Sequence, residues 1–165
     1  MNVQDALTLV EYNAWASRRL LQQAARVSQE ELTQAALLSH GSLLGTLIHT
    51  LDAQWYWRLG CQKGVLPVER LSQQELADMA ALRKRWEVED ELLINYVRSL
   101  TDAQVDERVE YSWPRARPRS KVLWHILVHI VNHGTHHRSE IGNYLAVLGR
   151  SPGDMDYIIY VSKAH

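Results

Sequence analysis

The stretch "HILVHIVNHGTHHRSEIGNYLAVLG", His125 to Gly149, holds five of the chain's eight histidines. His125, His129, His133 and His137 recur at every fourth position, and His136 adjoins the last of them. Residues four apart share a helix face, so such a pair can set two ring nitrogens on one metal ion, at roughly 2.0–2.1 Å each for zinc. On a helical wheel of about 3.6 residues per turn, Leu123, Ile126, Ile130, His137, Ile141, Tyr144 and Leu148 form one apolar stripe. His137 lies in the middle of that stripe and His133 at its edge, whereas His129, His136 and His125 turn progressively toward the polar side. Two imidazoles therefore point inward, one turn apart. Helical HxxxH pairs often arise by chance, but an unpartnered imidazole is costly in an apolar interior, which strengthens the case for a metal. Gly134 follows His133, so the glutamate base of the HExxH protease motif is missing. A third ligand must come from another element, and spacing leaves His40, His49 and His165 open.

The elements that would position these rings read as helices throughout. A first helix runs from about Val3 to Arg26, with Asn2 as its N-cap and Leu7, Val10, Ala14 and Leu21 on one face. "VSQEELTQAALLSHGS" connects it to a second helix, capped by Ser42 or Ser39 and reaching about Leu59. The second helix has its apolar face through Leu44, Leu47, Leu51 and Trp55. His49 lies off that face, between the small residues Gly45 and Ala53. "GCQKGVLP" breaks the chain, and Ser72 with Glu75 forms a capping box for a third helix that ends near Leu100. "ERVEYSW" alternates and "PRARPRS" cannot stay helical, so a short hairpin or an irregular crossover precedes the fourth long helix. That helix begins near Ser120 and stops at Gly149, a suitable residue just past a C-terminus. The expectation is an all-α fold: a four-helix bundle with one long crossover, a single domain over residues 1–165.

Composition narrows the function. A net charge of −1 offers no basic field for a polyphosphate, and the run "PRARPRSK" reads as a solvated crossover, not a nucleic-acid site. The single cysteine, Cys61, rules out an internal disulfide and fits a reducing compartment. The sequence shows no signal-peptide pattern and no apolar run near the roughly 20 residues of a membrane span. A soluble cytoplasmic protein is expected. Phe is absent, so six Trp and seven Tyr supply the aromatic bulk. Tyr12, Trp15, Trp55, Trp57 and Trp124 line a pocket, fill the core or form a dimer interface.

Together the motifs "YNAWASRRLL", "GSLLGTLIHTLDAQWYW", "HIVNHGTHHRSEIGNYLAVLG" and "SPGDMDYIIY" resemble the DinB/YfiT-like family of metal-dependent bacterial proteins. The resemblance covers nearly the whole chain. It implies that a histidine of the second helix and both of the fourth-helix HxxxH pair bind one divalent metal. By motif these are His49, His133 and His137. It also implies Zn²⁺ or Ni²⁺ as the ion, a homodimer, and relatives that join low-molecular-weight thiols to electrophiles or isomerise with thiol help. The sequence departs from the family pattern at two places. Ser139 and Glu140 follow Arg138 where the family usually has Gly-Gln, and Gln54 stands where a glutamate is common.

A three-imidazole site keeps open positions, the pattern of a catalytic and not a closed structural centre. Such a metal lowers the pKa of a bound water or thiol. Cys61 lies outside the motifs, so the thiol would come from a cosubstrate. Asp52, Glu140 and Asn132 are candidates to orient the rings, and Arg138 to pair with an anionic substrate or a surface carboxylate. The expected function is a divalent-metal-binding protein, a metal-dependent enzyme such as the low-molecular-weight-thiol S-transferase acting on a small electrophile that the resemblance implies. The alternative is a metal-stabilised bundle that binds a ligand or partner without catalysis.

Overall fold

A computed structural model describes residues 1–163; His165 lies outside the described residues. Four long helices carry the fold: α1 (Val3–Ala24), α3 (Leu43–Lys63), α4 (Met79–Arg98) and α6 (Leu123–Val147). Shorter elements fill the connections: α2 (Gln29–Thr33), α5 (Asp102–Asp106), strands β1 (Arg108–Tyr111) and β2 (Arg119–Val122), and α7 (Tyr157–Lys163). Both α1 and α3 pack against α4 and α6, which closes the ring of a four-helix bundle. The all-α expectation therefore holds, with a two-stranded antiparallel hairpin pairing Arg108 with Val122 and Tyr111 with Arg119. No described helix is long and apolar enough to cross a membrane.

Local chemistry sets the helix ends. The Asn2 side chain accepts the Asp5 N–H at 2.8 Å and Asp5 accepts the Asn2 N–H at 3.2 Å, closing a capping box on α1. Ser42, not Ser39, caps α3, accepting the Gly45 N–H at 3.0 Å. The helix then runs through "GCQK" to stop at Gly64, whose φ of +67° suits glycine.

Besides α3, which runs on to Lys63 where a break after Leu59 is expected, three places differ from the sequence expectation. Ser72 and Glu75 do exchange their box bonds, but they enclose a single turn, and α4 begins at Met79 behind the cap Asp78. The Asp52 carboxylate explains this. It accepts the Leu71 N–H at 2.9 Å and the Arg70 guanidinium at 2.7 Å, binding the segment to α3 before α4 can start. Ser28 opens the short α2 inside the first connection with its own capping box. Ser120 belongs to β2, so α6 starts at Leu123, with no side-chain cap; the Leu123 N–H instead donates to Glu107 O at 2.9 Å.

Besides a small cluster of Tyr12, Ala16 and Val131, the interior of the described residues has two large apolar clusters. One gathers Leu20, Leu47, Leu51, Trp86 and Ile141, the other Val10, Tyr56, Leu93, Ile126 and Ile130. Between them, at the matching level of each long helix, lie the buried polar residues Asn13, Gln54, Asp90 and Arg138. Asn13 Nδ2 donates to Gln54 Oε1 at 2.8 Å, and Gln54 Nε2 donates to Asp90 Oδ1 at 2.8 Å. Arg138 joins the same layer through Asn13 Oδ1, Ser17 Oγ and Thr135 Oγ1. Each partner is satisfied within the layer, as buried polar groups require.

Candidate metal centre

The helical pair occupies the positions its wheel assigns. His137 is 5% exposed on the inner face of α6, and His133 is half-buried one turn before it, their ring centroids 4.6 Å apart. His49 faces them from α3, its ring 5.0 Å from His133 and 4.9 Å from His137. The Nε2 atoms of His49 and His133 are 3.2 Å apart. The three expected residues are thus brought together. His125, His129 and His136 are exposed. His125 rests on Trp124, and His129 lies between Trp57 and His133 at 5.5 and 5.8 Å. His136 lies 4.9 Å from His137, and its nitrogen comes within 4.8 Å of donor atoms on His137 and Glu140.

A fourth ring, left open by spacing and not chosen by the family motifs, joins them. His40, in the turn before α3, stacks on His49 with centroids 3.6 Å apart and planes 18° from parallel. Nitrogens of His40, His49 and His137 all lie within 4.8 Å of one another, and His133 reaches this group through His49. The signal in the sequence was position alone: His40 stands two residues before the α3 cap, where the chain must fold over the helix's first turns.

Of the candidate orienting groups, Glu140 fulfils the role. Its Oε2 lies 3.1 Å from His137 Nδ1, which directs the other ring nitrogen, Nε2, away from the carboxylate. The same carboxylate accepts the Ser39 N–H and, at 2.8 Å, the Ser39 hydroxyl. Partial burial works against its charge, but the Ser39 and His137 hydrogen bonds hold Glu140 below the usual carboxylate range. Asp52 orients no ring, being committed to Arg70 and Leu71, and Asn132 is exposed. Arg138 is 2% exposed and belongs to the buried polar layer; it makes no surface salt bridge.

Electrostatics suit a cation here. Burial, then the neighbouring His40 and His137, lowers the His49 pKa to about 4. Burial and the rings of His137 and His49 lower His133 likewise, to about 4. Burial and His137 also lower His40. His49 and His133 are therefore neutral donors at pH 7, and uncharged imidazoles facing each other across α3 and α6 fit a divalent ion better than a proton. Two clefts flank the cluster. One of about 260 Å³ is lined by His40, His49, Asp52 and Leu71, the other of about 330 Å³ by Trp57, Tyr111, Ile126 and His129.

The family model of the DinB family matches residues 1–164. The chain belongs to the DinB family. No curated protein matches the sequence. Membership in the DinB family and a histidine cluster that could hold a metal ion fit a DinB-like metal-binding protein. Gln54 departs from the DinB pattern within the buried layer, not at the rings, where it bridges Asn13 and Asp90. Glu140, the other departure, stands at the site itself.

Proposed function

We propose that the protein is a divalent-metal-dependent enzyme that joins a low-molecular-weight thiol to a small electrophile, with His49, His133 and His137 as metal ligands. The observation that carries this reading is the convergence of neutral imidazoles from α3 and α6, with the His49 and His133 Nε2 atoms 3.2 Å apart. A Zn²⁺ or Ni²⁺ ion bound there supplies Lewis acidity that makes a thiol or water a nucleophile at neutral pH. In the overall reaction the thiol loses its proton, its sulfur bonds the electrophilic carbon, and the leaving group departs with the bonding pair. The chain contributes no sulfur of its own. Cys61 is mostly buried, and burial pushes its thiol up to about 12, so it stays protonated at neutral pH. The cleft walled by Trp57, Tyr111 and Ile126 provides an apolar seat beside His129 for the electrophile's body.

The glutamate of HExxH is missing, and the carboxylate that does reach the helical pair, Glu140, is engaged with His137 Nδ1 and Ser39, which favours transfer over hydrolysis. The non-catalytic alternative, a metal-stabilised bundle, shares every ligand and differs only in turnover. Purification without a metal-affinity tag, elemental analysis, and a conjugation screen pairing several small thiols with electrophiles separate the two. Metal-dependent conjugate formation supports the enzyme; bound metal with no turnover across the screen favours the alternative. We also place the protein in the cytoplasm as a homodimer. Val88 and Leu92, one turn apart on α4, are exposed apolar residues that suit a second copy. Sedimentation showing only monomer across a wide concentration range contradicts the dimer.

A further inference from the structure

We propose that His40 is a fourth metal ligand, carried on the Ser39–Gly41 turn, which closes the centre at rest and has to leave before another donor can enter. This rests on the metal-binding reading above and extends it to a residue outside the two helices. Three independent features seat this ring. Its nitrogen lies within 4.8 Å of donor nitrogens on His49 and His137, so the three can share one ion once the His40 ring turns out of its stack on His49.

The turn is also latched. Glu140 holds the Ser39 N–H and hydroxyl with one carboxylate and His137 Nδ1 with the same group, so the His40 turn and a helical ligand share one anchor. Finally, Gly45 in the first turn of α3 lets the His40 backbone lie against the helix; a β-carbon there would collide with the His40 carbonyl oxygen. A histidine placed by chance in a loop would need neither the latch nor the bare helix surface.

The consequence concerns openness. Three helix-borne imidazoles leave positions free, whereas a fourth nitrogen completes the tetrahedral shell of a closed zinc site. His40 is exposed and lies outside the helices, beside the cleft formed with His49, Asp52 and Leu71. It is the one donor that can withdraw without bending a helix. A competing donor entering that cleft takes its place, so a small thiol binds the metal more readily once His40 is gone.

The test uses metal-free full-length protein titrated with Co²⁺, read by visible absorption and by competition with a chelator, then challenged with 2-mercaptoethanol. His40→Ala should bind Co²⁺ at least about tenfold more weakly, in line with the loss of a group that supports a metal shell. Its absorption bands should change, and the sulfur-to-cobalt band should arise at a lower thiol concentration than in the parent. His125→Ala, an exposed histidine of the same helix as the pair, should match the parent. His40→Ala with parental affinity and bands, alongside a His137→Ala that loses Co²⁺, overturns the His40 assignment and leaves the metal centre standing. Parent protein that takes up no Co²⁺ overturns both.

Discussion

A β-carbon at position 134 would lie 2.7 Å from both Arg138 Nη1 and Asn13 Oδ1, so glycine here makes room for the buried hydrogen bond between them. Gly134→Ala gains about 1 kcal/mol of helix propensity but overpacks a buried polar contact, which costs roughly 1–3 kcal/mol and weakens the hold on a buried guanidinium. The variant should melt below the parent; a higher melting temperature in a thermal scan contradicts the role given to this glycine. Asp90, at the far end of the same layer, has its carboxyl pushed up to about 7, chiefly by burial. An ordinary aspartate titrates near 3.9, so the native state keeps a proton that the unfolded chain gives up, and stability falls as pH rises from about 4 to 7. Asp90→Asn keeps an acceptor for Gln54 and removes that titration. It should be the more stable protein at pH 8, by an amount on the order of a few kcal/mol at most, with the gap closing toward pH 4. Parallel stability curves for variant and parent would show that Asp90 does not titrate in this window.

At the scale of elements, legibility in the sequence followed burial geometry. The α6 helix has one wet and one dry face, so its wheel separates His133 and His137 from His125, His129 and His136, as the structure does. The α3 helix is buried on almost every side, with Leu44, Leu47, Asp52, Gln54 and Arg58 all inside. In a helix wrapped by neighbours the stripe through Leu44, Leu47, Leu51 and Trp55 does not mark every inward position, so His49 rests on family motifs. His40 was beyond periodicity altogether, because a turn has none; it is set by the Ser39–Glu140 latch and the bare surface at Gly45. The start of α4 was misplaced since the Ser72–Glu75 box is real but local, and the tie from Asp52 to Leu71 that cuts it short is a contact between distant residues. Caps within one element, such as Asn2 with Asp5 and Gly149 past the end of α6, were legible because both partners are near in sequence.

Across the whole molecule, a metal between α3 and α6 would tie together helices that meet directly and that both pack on α4 or α1. An ion bound only to the native state raises stability by mass action, about 4 kcal/mol when its free concentration is a thousandfold above the dissociation constant. Without metal, the lowered pKa values of His49 and His133 work in the opposite sense on acidification. The unfolded rings protonate first, near 6.5, so stability present above that pH is lost as pH falls toward about 4. A metal should resist this loss until protons displace it. The most direct test of the centre is the melting temperature of metal-stripped protein with and without added Zn²⁺, compared with His133→Ala and His137→Ala. A clear rise is expected for the parent and little or none for either variant; an equal rise in all three would contradict metal binding by these two rings.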